Sequence, residues 1–230
     1  MSKKILFIDC ASMGWVSLGL VMEGECRGEI NLEIGKAQAS LLPGLAGSFL
    51  GAFGLAAGDV DLFAAAVGPG SFTGIKVGLT FVQFLAWAGG KKVIPLSSLE
   101  SAAFSTGLPP GTLVCPLSVA GGGKAYSGLF RLMGETRPPE AVMAEGVYSR
   151  DELAEGLMPF SVDAPFFIAD SPVKLGRFIP PAAGGGNLRK MRPGGGSAAL
   201  LAWIRRGEAM DPGNLAARYF KDPDVGRPAS

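Results

Sequence analysis

Gly68-Pro69-Gly70-Ser71-Phe72-Thr73-Gly74-Ile75-Lys76-Val77-Gly78-Leu79 lies between the apolar run Asp59–Val67 and the apolar run Ile75–Ala88. The first run has the length of a buried strand and the second that of a helix, so the glycines mark a strand-to-helix turn. Glycine tolerates positive φ and lets backbone approach closely. Ser71 or Thr73 is placed to cap the helix that follows. Uncapped N–H groups at a helix start also attract anions, so a tight structural turn and a phosphate cradle both fit this stretch. It is not a Walker loop, because no Lys-Ser or Lys-Thr pair follows the glycines.

Outward from this turn, Lys4–Ala11 reads as a buried strand carrying Asp9 near its end. Trp15–Met22 and Arg27–Ile34 read as two more strands joined at Glu23-Gly24-Glu25. Gln38 to about Ala57 reads as a long apolar helix, and Val93–Pro95 as a short strand. Ser97 opens a helix through Phe104, with Glu100 placed for a capping box. The pattern breaks at Gly107-Leu108-Pro109-Pro110-Gly111, which sets an N-terminal lobe of residues 1–106 and a C-terminal lobe of residues 107–230. The second lobe holds strands at Thr112–Leu117 and Lys124–Leu132, weaker strands beyond them, and a short helix near Asp151–Leu157. Gly184-Gly185-Gly186 and Gly194-Gly195-Gly196 read as flexible loops. Ser197–Arg206 reads as a helix, and the segment 197–207 is a candidate to pack back on the N-terminal lobe before a polar tail. Strands alternating with helices make this an α/β chain.

Composition narrows the chemistry. The 230 residues are 48% hydrophobic and 18% charged, a globular balance. A net charge of +1 without a basic stripe disfavours an autonomous grip on nucleic acid. Cys10, Cys26 and Cys115 form no CxxC pair, and the chain contains no histidine, which excludes His-dependent triads and His-ligated zinc. Ser12, Ser71 and Ser118 have no evident base to activate them, and no acidic cluster suggests a metal. Asp9 reads either as a magnesium ligand or as a turn aspartate accepting N–H bonds. Arg189, Lys190 and Arg192 read either as a solvated loop or as a contact to RNA phosphates. The apolar stretch before Asp9 is too short for a signal peptide, which points to the cytoplasm and reduced thiols.

The first long helix carries a second signal. Leu41–Ala57 has no charge, and Gly44, Gly47, Gly51, Gly54 and Gly58 fall within about an 80° arc at helical pitch. Leu41, Leu45, Phe49 and Phe53 form an i, i+4 apolar stripe. Each internal glycine costs about 1 kcal/mol relative to alanine, so something must offset several of them. A core helix, a membrane span with small-xxx-small spacing, and a helix–helix subunit interface are the three physical candidates. In the second helix Val77, Phe81 and Leu85 belong to an apolar surface that covers nearly every side, more than one sheet face can bury. That favours the interface over a membrane.

The Gly68–Leu79 string resembles the signature of the TsaB/YeaZ family. Ile5-Leu6-Phe7-Ile8-Asp9 resembles that family's first strand, Leu96-Ser97-Ser98-Leu99-Glu100 its next helix start, and Arg218-Tyr219-Phe220-Lys221 its C-terminal motif. The resemblance implies a two-lobed actin-like ATPase (ASKHA, RNase H-like) fold with mixed sheets flanked by helices. It implies a non-catalytic subunit that binds and activates a TsaD-like enzyme in threonylcarbamoyladenosine modification of tRNA beside the anticodon. The expected partners are TsaD, a TsaE-like ATPase, tRNA only through the complex, and a second copy when the chain is alone. A residual ATPase or peptidase-like hydrolase of the same superfold is the alternative. No cofactor is required, but weak ATP or ADP binding is compatible with a degenerate site at Asp9, Ser12, Gly70, Ser71 and Thr73. The expected partner surface is Leu41, Leu45, Gly47, Phe49, Gly51, Gly54, Val77, Phe81 and Leu85. The chain departs from the family where an Asp-Ala-Arg segment is common: it reads Val119-Ala120-Gly121-Gly122-Gly123. Its first helix also opens blandly, as Lys36-Ala37-Gln38-Ala39-Ser40.

Overall fold

Alternating burial in the first third of the chain builds a sheet before any helix is needed. In the computed structural model, which describes residues 3–180 and 188–220, β1 (Lys4–Asp9) pairs antiparallel with β2 (Trp15–Met22), and β2 with β3 (Glu25–Glu33). Glu23 and Gly24 both adopt positive φ, the twist a two-residue hairpin turn requires. β4 (Leu62–Ala66) and β5 (Lys92–Leu96) then add in parallel, giving the order β3-β2-β1-β4-β5. The connections are α1 (Gln38–Gly51) and α2 (Phe72–Gly89).

A short helix, α3 (Ser98–Phe104), leads into a second mixed sheet. This contains β6 (Leu113–Gly121), β7 (Lys124–Arg131), β8 (Glu140–Tyr148), β9 (Phe166–Ala169) and β10 (Leu188–Lys190) in the order β10-β9-β6-β7-β8. Helices α4 (Arg150–Leu157) and α5 (Pro172–Leu175) bury Leu153, Leu157 and Leu175 in the core that holds Cys115, Leu129 and Phe167. On the other face Leu99 and Ala103 of α3 pack with Val114, Phe130 and Ile168. The two five-stranded mixed sheets with helical layers are the α/β architecture expected of the two-lobed fold.

The last helix, α6 (Gly195–Ile204), returns to the first sheet. Its Ala198, Ala199, Leu201 and Ala202 join the core of Ile5, Phe7 and Leu20. Gly194-Gly195-Gly196, expected as a flexible loop, instead carries the N-cap and first turn of this helix, because the contact with β2 leaves no room for side chains. A Cβ on Gly19 would collide with the Gly195 carbonyl, and a Cβ on Gly195 with the carbonyl of Leu18. Asn31 Oδ1 and Glu29 Oε2 accept from the N–H groups of Gly195 and Gly196 at 3.0 and 2.6 Å, which satisfies donors a helix start leaves open. The chain beyond α6 stays on this lobe: Met210 pairs with Val93, and Gln83 Nε2 donates to the carbonyls of Pro212 and Leu215. The N-terminal lobe is therefore completed by residues from the C-terminal end. Gly184-Gly185-Gly186, Lys221 and the polar tail lie outside the described residues.

Two further expectations change. Ser97 caps α3, accepting from the N–H groups of Leu99 and Glu100, but Glu100 does not close a capping box. Its buried carboxylate accepts from Arg205 Nε at 3.2 Å and from Nη2, tying α3 to the end of α6. Burial pushes the Glu100 carboxyl above its usual range, with Arg205 pulling it back. Burial also works against the Arg205 charge, but Glu100 and Glu208 outweigh it and hold the guanidinium above its ordinary value. The second change is the length of α1, which stops at Gly51 rather than near Ala57. Gly54 takes φ +68° in the turn that follows, and Gly58 lies in a single 3-10 turn, Ala57–Asp59. Only three of the five glycines are helical, so the cost to be offset is correspondingly smaller. A helix of 14 residues spans about 21 Å, too short to cross a bilayer.

Two predictions follow from this packing, and urea denaturation checks both. Gly19→Ala is expected to lower stability by about 3 kcal/mol, since backbone faces backbone there, whereas Gly47→Ala, with open space around it, is expected to raise stability by about 1 kcal/mol. Arg205→Ala is expected to cost about 3 kcal/mol at neutral pH by leaving a buried carboxylate unpaired. Removing the guanidinium raises the folded-state value of Glu100 further, so that deficit should shrink as pH falls through the variant's raised value, where its carboxyl becomes neutral while the wild-type carboxylate stays paired.

Candidate functional site

The Gly-rich turn fits against the end of β1. A Cβ on Gly70 would strike the Ala11 carbonyl and one on Gly74 the Cys10 carbonyl. Ser71 caps α2, its Oγ accepting from Gly74 N–H at 3.2 Å, and its own N–H donates to Ala11 O at 2.7 Å. The helix starts at Phe72, three residues earlier than expected, because Ser71 rather than Thr73 is the cap. These glycines are thus required by packing, and two of the turn's N–H groups are already committed.

Asp9 behaves as a turn aspartate. Its Oδ1 accepts from Ala11 N–H at 2.6 Å, and its Oδ2 from Ser12 Oγ at 3.1 Å. Burial raises its carboxyl above the ordinary value, opposed by these hydrogen bonds. Gln38, buried at the start of α1, donates to the Cys10 carbonyl at 3.0 Å and ties α1 to the same loop. Burial also lifts the Cys10 thiol far above its usual range and pushes Cys115 up to about 12, so neither is an available thiolate near neutrality.

Between the lobes runs a cleft of about 260 Å³. Asp9 and Ser12 line it, whereas Gly70, Ser71 and Thr73 are not among its lining residues. The five expected site residues therefore divide between the cleft and the start of α2. From the second lobe come Ser118 and Asp170; Ser118 Oγ donates to Asp170 Oδ2 at 2.6 Å, and Val119 N–H to the same oxygen at 3.1 Å. Ser12 and Ser118 each donate to a carboxylate, Asp9 and Asp170 respectively. Lys190 and Arg192 stand at the cleft, while Arg189 lies over the Phe166 ring at 5.0 Å. The sequence reading missed Ser98, Ser101 and Ser105. Their i, i+3, i+7 spacing on one helix face was the available signal. Ser17, Asp170 and Lys174 gave none.

A second candidate surface lies on the opposite side of the first sheet, where α1 and α2 pack together. α1 turns Leu42, Ala46, Phe49 and Leu50 inward, and α2 turns Ile75, Leu79, Val82 and Ala86 inward. Phe49, expected at a partner surface, is therefore a core residue. Leu45, Val77, Phe81 and Leu85 are half-buried against that core. Leu41 is 45% exposed and Phe53 37%, and Gly47, Gly51 and Gly54 have nothing within 4 Å of a built Cβ. The most exposed large side chains here are Phe84 at 66% and Trp87 at 63%, which the expected surface left out. They follow Phe72, Lys76 and Thr80 at helical spacing along the outer stripe of α2. α2 is the one described helix long and apolar enough to cross a membrane, but its inner face is committed to the sheet.

Among the described residues, no group of three or more His, Cys, Asp or Glu side chains converges as a metal site. Residues 33–160, more than half of the chain, match the family described as TsaD: tRNA N6-adenosine threonylcarbamoyltransferase. The tRNA threonylcarbamoyladenosine biosynthesis protein TsaB of Bacillus subtilis (strain 168) is 34% identical over 89 residues, covering 37% of this chain and 38% of that protein. The TsaB protein of Haemophilus influenzae is 46% identical over 50 residues, covering 22% of this chain and 21% of that protein. The aligned segments span less than two fifths of either curated relative. The solved structure of YeaZ from Pseudomonas aeruginosa superposes with a TM-score of 0.78 at 23% identity, covering 94% of this chain and 99% of that one, which shows the shared fold. The chain belongs to the family described as TsaD: tRNA N6-adenosine threonylcarbamoyltransferase, and within it is similar to the TsaB/YeaZ proteins.

Proposed function

We propose that this chain serves threonylcarbamoyladenosine modification of tRNA as a non-catalytic partner subunit, which binds a TsaD-type enzyme and holds it in an active state. The observation that carries the reading is the outer face of α1 and α2. Leu41, Phe84 and Trp87 stand in solvent there, beside helix backbone bared at Gly47 and Gly51. An apolar surface of this kind is costly to leave exposed, and bare glycine backbone lets a second helix approach closely. The similarity to curated proteins named TsaB, together with the TsaD family match, supports a TsaD-type enzyme as the partner. A TsaE-like ATPase completes the proposed assembly, and tRNA is reached only through it, in keeping with a net charge of +1. With no enzyme present, the same helical face pairs two copies of the chain.

The absence of histidine and the hydrogen bonds that hold Ser12 and Ser118 support a role without turnover. The exposed stripe revises the expected contact set. Leu41, Gly47, Gly51, Phe84 and Trp87 meet the partner, Leu45, Val77, Phe81 and Leu85 support them from the flank, and Phe49 stays in the core.

Co-purification with a TsaD-type enzyme and restoration of its transfer activity test this. The wild-type chain is expected to do both. Gly51→Leu, which enters open space, should keep the monomer's melting temperature while weakening pairing at least about tenfold, or about 1.4 kcal/mol. Trp87→Glu should do the same. Unchanged pairing by both variants, or robust ATP turnover by the isolated chain, would contradict the proposal.

A further inference from the structure

A net charge of +1 conceals an uneven distribution. All 20 acidic residues lie outside the stretch 171–207, which holds seven of the 21 lysines and arginines. Arg205 is paired with Glu100 and Glu208, and Arg206 lies over Trp203. The other five, Lys174, Arg177, Arg189, Lys190 and Arg192, are all exposed, and among the described residues none of them forms an ion pair. The fold gathers them at one edge. β10, the outermost strand of the second sheet, carries Arg189 and Lys190, with Arg192 two residues beyond. α5 and the turn after it carry Lys174 and Arg177, and a Cβ built on Gly176 between them meets the Leu188 side chain of β10 at 3.6 Å.

A charged edge strand also keeps sheets from pairing edge to edge. That role is met by charges on the strand itself and leaves Lys174, Arg177 and Arg192 unexplained. Cations clustered without an acid between them repel one another and attract an anion that spans them. They do not converge on one point. Arg189 follows the register of Ile168 and Lys190 that of Ala169, so the two point to opposite faces of the sheet edge. A row of separated cations fits a chain of phosphates better than a single small anion. Two of the guanidiniums are already held, Arg189 over the Phe166 ring at 5.0 Å and Arg177 over the Phe178 ring at 5.5 Å. A planar fork held in this way loses less freedom when it bonds a phosphate. A lipid surface would call for a row of large apolar side chains beside the cations, and α5 and β10 expose only Val173.

We propose that the β10–α5 edge of the second lobe is a contact surface for the phosphodiester backbone of RNA, engaged when this chain is docked on its enzyme partner. The inference rests on the tRNA reading above for the identity of the polyanion, and adds to it a surface on this chain. That surface shares no residue with the α1/α2 face, so enzyme and RNA are held at the same time. Five cations alone give a weak and salt-sensitive contact, in keeping with RNA reached through the complex.

Fluorescence anisotropy with labelled tRNA tests it, on the full chain alone and on its complex with a TsaD-type enzyme. The chain alone should bind at about 50 mM salt and lose about 100- to 500-fold in affinity by about 200 mM, as five phosphate contacts dictate. Joint replacement of Lys174→Ala, Lys190→Ala and Arg192→Ala removes side chains without an ion pair among the described residues. Melting temperature and co-purification with the enzyme should therefore stay unchanged. The triple variant should bind tRNA at least about tenfold more weakly in both settings, with the slope of log affinity against log salt reduced by about 2 to 3. Lys174→Arg with Lys190→Arg keeps the charge and should bind like the wild type. Lys91→Ala with Lys92→Ala, at the start of β5 on the other lobe, should change nothing. If the enzyme fails to pair with the chain, the partner reading falls, and the titration of the chain alone still decides this one. The proposal is overturned if the wild-type chain does not bind at about 50 mM salt, if the triple variant titrates like the wild type, or if the Lys91 and Lys92 replacements cost as much. It is equally overturned if vesicles of phosphatidylserine and phosphatidylcholine in equal parts bind the chain more tightly than tRNA does and lose it in the triple variant, which would assign the edge to a membrane.

Discussion

The structure depends on one close approach: the first turn of α6 lies on β2 with Gly19 facing Gly195, backbone against backbone. This contact brings residues near the C-terminal end onto the first sheet and seals one of its faces with Ala198, Ala199, Leu201 and Ala202. It also places Arg205 against Glu100, which couples α6 to α3, and α3 packs on the second sheet. The layer formed by α6 and α3 is thus shared by the lobes. The cleft lined by Asp9, Ser101 and Asp170 is the space that layer leaves open. On the far side of the second lobe's contact with the chain end, Arg218 donates to Glu145 at 3.0 Å and its N–H to Val67 O, a further tie between the lobes.

One face of the first sheet is filled by α6, and the other carries α1 and α2, where among the described residues Leu41, Phe84 and Trp87 are exposed and Gly47 has open space around it. α1 begins without a side-chain cap, contains Pro43, and has glycines at 44, 47 and 51. A helix this weak in intrinsic propensity is held mainly by the tertiary contacts of Leu42, Ala46, Phe49 and Leu50. A partner helix laid against the bare backbone would add the packing that the glycines forgo. The two surfaces therefore have different characters. One is apolar at Leu41, Phe84 and Trp87, and the other is lined by Ser12, Ser17, Ser98 and Ser101.

Much of this was legible in the sequence. The strand at Trp15–Met22 matched to the residue, and the Gly-rich strand-to-helix junction was legible because strand, glycines and helix follow one another, although α2 takes in the last three residues of the expected turn. The end of α1 was not legible, since Phe53 and Leu55 continue the apolar pattern beyond the point where Gly54 turns the chain. The apolar stripe misassigned Phe49 because an i, i+4 series cannot reveal which neighbour covers it. Gly194-Gly195-Gly196 read as a loop because the need for glycine came from β2, some 170 residues away in sequence. The cleft was half visible through Asp9 and Ser12. Ser17 and Asp170 were hidden because a lone serine or aspartate acquires meaning only from what the fold places beside it.

The claim that the α1/α2 face is the working surface is tested most directly by hydrogen–deuterium exchange on the chain with and without a TsaD-type enzyme. New protection concentrated in residues 38–51 and 72–89, with α4 and β8 unchanged, is the expected result. Complex formation that leaves both helices exchanging as in the free chain, with protection confined to the second lobe, would contradict it.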